Sequence, residues 1–266
     1  MTPKQRYIFD LSGYLHLKNV LADDELREAQ AAIDRLLATP PDLLPLGIQR
    51  GEEGFSNGFS FDKSLEALTW HPAIQPIIKE LTDGKPRLNR GSLVINTCEN
   101  RKITHMHCAR EDCGWQTRRY AVKDGHIHCN DFICFFYFTD VHPGDGGLVV
   151  LPGSHKSDFE RPHGIFFQDV EDADYPLHPA LVNVLPSAGD VIILSELTTH
   201  GVLIWKPTDR DRRFLILRYK TQYFQDERGS RQPFPESVWM RLSPETQELA
   251  AHASYGHIKQ IIQTSN

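Results

Sequence analysis

The run Phe132-Ile133-Cys134-Phe135-Phe136-Tyr137-Phe138 decides how this chain folds. It is apolar at every position and dominated by aromatic residues, which favour pleated backbone, so it reads as a strand with both faces covered. Such a strand fits a closed or doubly layered β architecture. The same signal recurs in Leu93-Val94-Ile95, Leu148-Val149-Val150-Leu151, Val191-Ile192-Ile193-Leu194 and Phe214-Leu215-Ile216-Leu217, with Gly and Pro clusters such as Pro143-Gly144-Asp145-Gly146-Gly147 between them. Before Ser92 the pattern changes. Asp23 to Leu37 carries Leu26, Ala29, Ile33 and Leu36 at helical spacing, behind acidic residues that complement the positive helix end. A second helix is expected over Ala73 to Leu81, and Ser12-Gly13 reads as a turn into a short strand at Tyr14-Leu15-His16-Leu17. The order predicts a mainly β fold, best matched by a jelly-roll barrel, with N-terminal and flanking α-helices padding an outer face. The polar insert from Glu111 to Gly125 is expected as a loop at the barrel mouth.

No linker-like run divides the 266 residues, so they are read as one domain, with helical support over 1–90, a β core over 91–225 and a C-terminal extension over 226–266. A hydrophobic fraction of 40% with 24% charged residues is that of a soluble globular protein, and a net charge of −6 gives no general attraction for nucleic acid or anionic membrane. The N-terminus lacks the apolar stretch of a signal peptide, and no run is long enough for a membrane span; a cytoplasmic location follows by default. Five cysteines without a secretory signal point to reduced thiols. Cys108 and Cys113, like Cys129 and Cys134, are spaced so that a four-thiolate zinc site can be drawn, but Cys134 inside the aromatic run reads as a small buried thiol.

Chemistry is carried by two His-bearing segments, Thr104-His105-Met106-His107 and Thr198-Thr199-His200-Gly201. Two imidazoles two residues apart on one strand face, joined by a third from a distant strand, make half of an open metal coordination sphere and leave positions for a cosubstrate and oxygen. Downstream, in Arg210-Asp211-Arg212-Arg213, a guanidinium is suited to hold a dicarboxylate through paired charge-assisted hydrogen bonds. A hairpin turn near Pro207-Thr208-Asp209 would set His200 opposite roughly Ile216, and alternation then places Arg212 and Arg218 on the His200 face. A one-residue shift favours Arg213; otherwise these arginines are solvated charges, with Arg218 a paired structural residue. Phe55, Phe59 and Phe61 either line a pocket entrance or fold over the core. Trp239, Leu242, Ile258, Ile261 and Ile262 suggest a packed terminal helix or a subunit contact.

The segment Phe138-Thr139-Asp140-Val141-His142-Pro143-Gly144-Asp145-Gly146-Gly147-Leu148-Val149-Val150-Leu151-Pro152-Gly153-Ser154-His155-Lys156 resembles the signature stretch of the phytanoyl-CoA dioxygenase family. Gly13-Tyr14-Leu15 and Gly189-Asp190-Val191-Ile192, leading to His200 and Arg212, fall in that family's order. The resemblance implies a double-stranded β-helix enzyme that uses non-haem Fe(II), 2-oxoglutarate and O2 to hydroxylate a small molecule. It also implies that His200 is the distal iron ligand and that Arg212 pairs with the distal carboxylate of 2-oxoglutarate, with Arg213 the alternative. In that frame His126 and His128 lie too late for metal binding, leaving His128 and Asn130 a supporting or substrate role, and His155 is structural. The chain departs from the family's His-x-Asp. If His105 is the proximal ligand, His107 takes the acid's place and iron has three imidazoles: His105, His107 and His200. If His107 is proximal, Ala109 takes the acid's place and leaves an open position, as in iron halogenases where chloride fills it. Glu111 or Asp112 is a third source. Three functions follow: a dioxygenase, a halogenase-like variant, and a silent barrel that binds a small ligand.

Overall fold

A computed structural model of the protein describes residues 1–100, 104–109, 120–159, 161–162, 177–222 and 233–252. Its strands are β1 (Tyr14–Leu17), β2 (Gln49–Gly51), β3 (Gly54–Ser56), β4 (Pro86–Asn96), β5 (Thr104–His107), β6 (Tyr120–Lys123) and β7 (His126–Cys129). They continue with β8 (Asp131–Tyr137), β9 (Gly147–Val150), β10 (Val182–Asn183), β11 (Val191–Ser195), β12 (His200–Leu203) and β13 (Arg212–Thr221). A seven-stranded sheet has the order β1-β11-β8-β13-β4-β3-β2, a four-stranded sheet the order β10-β9-β12-β5, and β6-β7 forms a separate pair. All the recorded pairings are antiparallel.

β8 lies inside the large sheet, between β11 and β13, and every one of its residues is buried. Its two faces go to different cores. Ile133, Phe135 and Tyr137 meet Leu148, Val150, Ile192, Leu194 and Phe214 between the sheets, whereas Phe132, Cys134 and Phe136, with Phe138 beyond the strand, pack outward against helices. Burying each large apolar side chain stabilises the fold by roughly 1.5–3 kcal/mol. The outer helices are α1 (Pro3–Ser12), not expected from the sequence, and α2 (Asp23–Ala38) and Gln75–Leu81, near the expected bounds; α2 turns Ala29, Ala32, Ile33 and Leu36 inward. Short helices at Glu236–Trp239 and Pro244–Ala250 bury Val238 and Leu249 beside them, while Ile258, Ile261 and Ile262 lie outside the described residues.

Three expectations are corrected. Beyond the strand expected at Tyr14–Leu17, the first ninety residues also supply β2 and β3 to the large sheet, and β4 begins at Pro86. Tyr120 to Gly125 is not simply loop: β6 and β7 pair around Asp124-Gly125, both with positive φ. β12 and β13 are not a hairpin, because they belong to different sheets; Ile216 faces Phe135 and Ser92, not His200. Phe55 and Phe59 are core residues, and Phe59 packs 5.0 Å from Phe234. Among the described residues no helix is long and apolar enough to cross a membrane.

Candidate functional site

His200 opens β12 opposite His107, the last residue of β5. Facing residues of an antiparallel pair project to one side of their sheet. His200 also pairs with Val150, a residue of the inter-sheet core, so both imidazoles point between the sheets. Their ring centroids are 4.4 Å apart with planes at 49°. Each ring is oriented by backbone: Nδ1 lies 2.8 Å from the His105 carbonyl in His107 and 2.7 Å from the Thr198 carbonyl in His200. A carbonyl can only accept, so Nδ1 carries the proton in both neutral rings and the lone pair resides on Nε2, the form that ligates a metal. Thr198 is itself anchored, its hydroxyl donating to the Gly13 carbonyl at 3.0 Å. Gly13 is required there: its φ is +81°, and a Cβ would lie 2.3 Å from Thr198 Oγ1.

One residue slips between β5 and β12. Val202 stands opposite Thr104 where regular pairing would give His105, a β-bulge that sets His105 and Met106 together against Gly201. Met106 is buried with Val149 and Leu181, and His105 is exposed. The alternation expected to place His105 beside His107 is therefore interrupted, and the structure brings His107, not His105, to His200. Ala109 is buried, and its N–H donates to the Glu196 carbonyl at 2.7 Å. Among the described residues no three His, Cys, Asp or Glu side chains converge as a metal cage. Glu111, Asp112 and Cys113 lie outside the described residues.

Arg212 opens β13 and is 2% exposed. Its Nε and Nη2 donate to Asn96 Oδ1 at 3.1 and 2.6 Å, and its guanidinium sits 4.7 Å over the Phe214 ring. Nη1 is buried and has no hydrogen-bond partner among the described residues. Burial lowers the pKa of this group, with Tyr137 and Glu53 opposing, yet a guanidinium keeps its charge. A buried cationic N–H left without an acceptor is costly, so the group is suited to meet an anion. It reaches across to the small sheet at Gly147, where a Cβ would lie 2.6 Å from Nη1. Gly147 pairs with Leu203, three residues along β12 from His200, roughly 10 Å at ordinary strand rise. Two imidazoles presenting Nε2 fit a divalent metal, and the guanidinium fits the carboxylate of a small cosubstrate between them and itself.

Arg213 faces the other way. Its Nε donates to Asp211 at 2.8 Å and its Nη1 pairs with Asp34 of α2, so the structure does not bring it to the His pair. His128 contacts Asp83 at 2.9 Å, His126 is exposed, and His155 is buried edge-on against Tyr120. Cys129 and Cys134 are buried in the helix-side core. Asn96, which holds Arg212, and Gly147, which makes room for it, are not legible as site residues from the motifs; the alternation Ser92-Val94-Asn96 would have placed Asn96 on the inward face.

A two-sheet antiparallel β fold with inward imidazoles on the small sheet and a buried arginine on the large one is the class these observations define. The chain belongs to the phytanoyl-CoA dioxygenase family, whose profile matches residues 9–202. It is 22% identical to the peroxisomal phytanoyl-CoA dioxygenase of Mus musculus, a match covering 76% of this chain and 63% of that protein, less than two thirds of its length. It is 23% identical to ectoine dioxygenase of Bordetella parapertussis, over 73% of this chain and 67% of the relative. The crystal structure of HygX from Streptomyces hygroscopicus with iron bound superposes with a TM-score of 0.68 at 22% identity, covering 84% of this chain and 88% of the other. A HygX structure with nickel and 2-oxoglutarate gives 0.65 at 21% identity, with the same coverage.

Proposed function

We propose that the protein is a non-haem Fe(II)- and 2-oxoglutarate-dependent dioxygenase that uses O2 to hydroxylate a small molecule. We read it as a single domain with a double-stranded β-helix, or jelly-roll, core. The observation that carries this reading is the buried Nη1 of Arg212, without a hydrogen-bond partner among the described residues, on the inward face that the His107–His200 pair also occupies. Family membership and the iron- and 2-oxoglutarate-bound HygX structures support it. His107 and His200 would hold iron, and Arg212 would hold the distal carboxylate of 2-oxoglutarate, its guanidinium plane fixed by Asn96. When bound, iron with 2-oxoglutarate and O2 supplies the oxidising power for an unactivated C–H bond, which no side chain provides. The chain's own part is to orient these groups and to exclude water with the apolar walls of Val150, Ile192 and Phe214.

A second reading is favoured by one observation. Since His107 is the imidazole paired with His200, buried Ala109 takes the position of the family's acid, which leaves a coordination position for a halide. The test is anaerobic addition of Fe(II) and 2-oxoglutarate, expected to produce the weak visible charge-transfer band of a chelated keto acid. His107→Ala and His200→Ala should each abolish it. Full retention by either variant overturns the metal assignment, and a chloride-dependent shift of the band selects the halogenase-like reading.

A further inference from the structure

We infer that Arg218 recognises the substrate, and that the substrate carries an oxyanion, a carboxylate or a phosphate. The inference rests on the reading above, that the space between the sheets is the active site. Arg218 lies on β13 in the inward series Arg212, Phe214, Ile216, Arg218, and its partner on β8, Ile133, belongs to the inter-sheet core. The two arginines are six positions apart, roughly 20 Å of strand. Arg218 stands at the histidine end. Its Nη2 is 2.7 Å from Oε1 of Glu196, a residue on the loop that carries the chain from β11 to His200. The Glu196 carbonyl receives the N–H of Ala109, two residues beyond His107. One guanidinium thus stands toward each end of the space, with the imidazoles between them. The cosubstrate takes Arg212, which leaves Arg218 to face whatever enters from the other side.

Three features set this pair apart from an ordinary structural ion pair. Arg218 Nε is buried with no hydrogen-bond partner among the described residues, and Glu196 Oε1 makes an ion contact without an acceptable hydrogen bond. A structural pair would be expected to engage the planar fork in two parallel bonds. The Arg218 side chain is 30% exposed while that of Glu196 is 7% exposed, so the cation is reachable and its internal counter-ion is not. Finally, Arg90 stands directly opposite Arg218 on β4, beside Asn89, the extra residue of a β-bulge in β4. A bulge on the facing strand increases the local twist beside Arg218. Glu196 holds Arg218 in place but also competes for it.

That competition gives the test its sign. Benzoate, hexanoate and phenyl phosphate, each with its neutral amide or alcohol as control, are titrated calorimetrically into the metal-free full chain. The acids should bind, about tenfold more weakly in Arg218→Gln and more tightly in Glu196→Gln; the neutral controls should not discriminate. The carboxylate and phosphate arms identify which oxyanion the mouth takes. Should Arg218→Gln lose thermal stability, Arg218→Lys, which keeps the charge but not the fork, must still weaken the acids selectively. Absence of acid binding, equal binding by Arg218→Gln, or looser binding by Glu196→Gln overturns the inference. None of those outcomes touches the iron and 2-oxoglutarate spectrum, so the failure of one reading is separable from the failure of the other.

Discussion

Arg212 and Arg213 are adjacent, yet strand geometry turns them to opposite faces. Arg212 is buried between the sheets with one nitrogen lacking a hydrogen-bond partner among the described residues, and Arg213 is held outside by Asp211 and Asp34. Arg212→Gln should therefore raise the 2-oxoglutarate requirement at least tenfold, as loss of a charge-assisted bond worth about 1.5–3 kcal/mol implies. Arg213→Gln should leave that requirement within about twofold and instead lower stability by roughly 0.5–1 kcal/mol, the scale of a partly exposed pair. Titration of 2-oxoglutarate beside thermal unfolding checks both, and the reverse ranking would move the cosubstrate to the outer face. Cys129 gives a prediction in pH. Burial pushes its thiol from 9.0 up to about 12, against hydrogen bonds to Ser195 and Asp131. The folded state then prefers the neutral thiol, so this contribution to stability is whole below about pH 9 and is lost as pH rises toward 12. Denaturant unfolding at pH 8 and about pH 10.5 should show the loss, and Cys129→Ala should reduce it; an identical slope in the variant would remove Cys129 as its source.

At the scale of elements, the turn into β9 brings the small sheet against Arg212. Gly147 has φ +87°, and a Cβ there would lie 2.6 Å from Arg212 Nη1. Gly147→Ala should cost about 1–2 kcal/mol from its left-handed backbone and should also weaken 2-oxoglutarate binding by displacing the guanidinium. A stability loss with unchanged affinity would show that Nη1 does not hold the cosubstrate. The strands themselves were legible in sequence because their evidence is local: β8 announces two buried faces, and β9, β11 and β13 follow from β-branched and aliphatic runs. Pairing was not legible. A hairpin between β12 and β13 is the simplest reading of Pro207-Thr208-Asp209, but the chain changes sheets there. Arg212 still reaches the His200 side because the inward faces of both sheets meet across one core. The β5 bulge was equally hidden, since Thr-His-Met-His contains no glycine or proline to signal it. Its consequence is measurable: His107→Ala should abolish Fe(II) binding while His105→Ala retains most of it. Equal losses would restore the three-histidine set.

On the scale of the whole molecule, the site is divided between the layers. The imidazoles belong to β5 and β12 of the small sheet, the guanidinium to β13 of the large one, and α1 reaches the site through Gly13, whose carbonyl holds Thr198. On the proposed assignment, a metal ion and a dicarboxylate bound together would bridge sheets that are otherwise joined by apolar packing and loops. Ligands that bind only the folded state stabilise it by mass action, about 2.7 kcal/mol at a hundredfold excess over Kd. For a chain of this size that corresponds to a rise in Tm of roughly 5–11 °C. Because the ligands sit on different sheets, the increments should separate by variant. His107→Ala should lose the metal-dependent rise and, with it, most of the 2-oxoglutarate effect, since the keto acid then has only Arg212. Arg212→Gln should keep the rise from metal alone and lose the further rise from 2-oxoglutarate. Thermal unfolding of the three proteins with metal, with 2-oxoglutarate and with both decides the matter without any turnover. If the Arg212 variant still gains the full combined rise, the two sheets do not share the ligand, and the bridge between them is refuted.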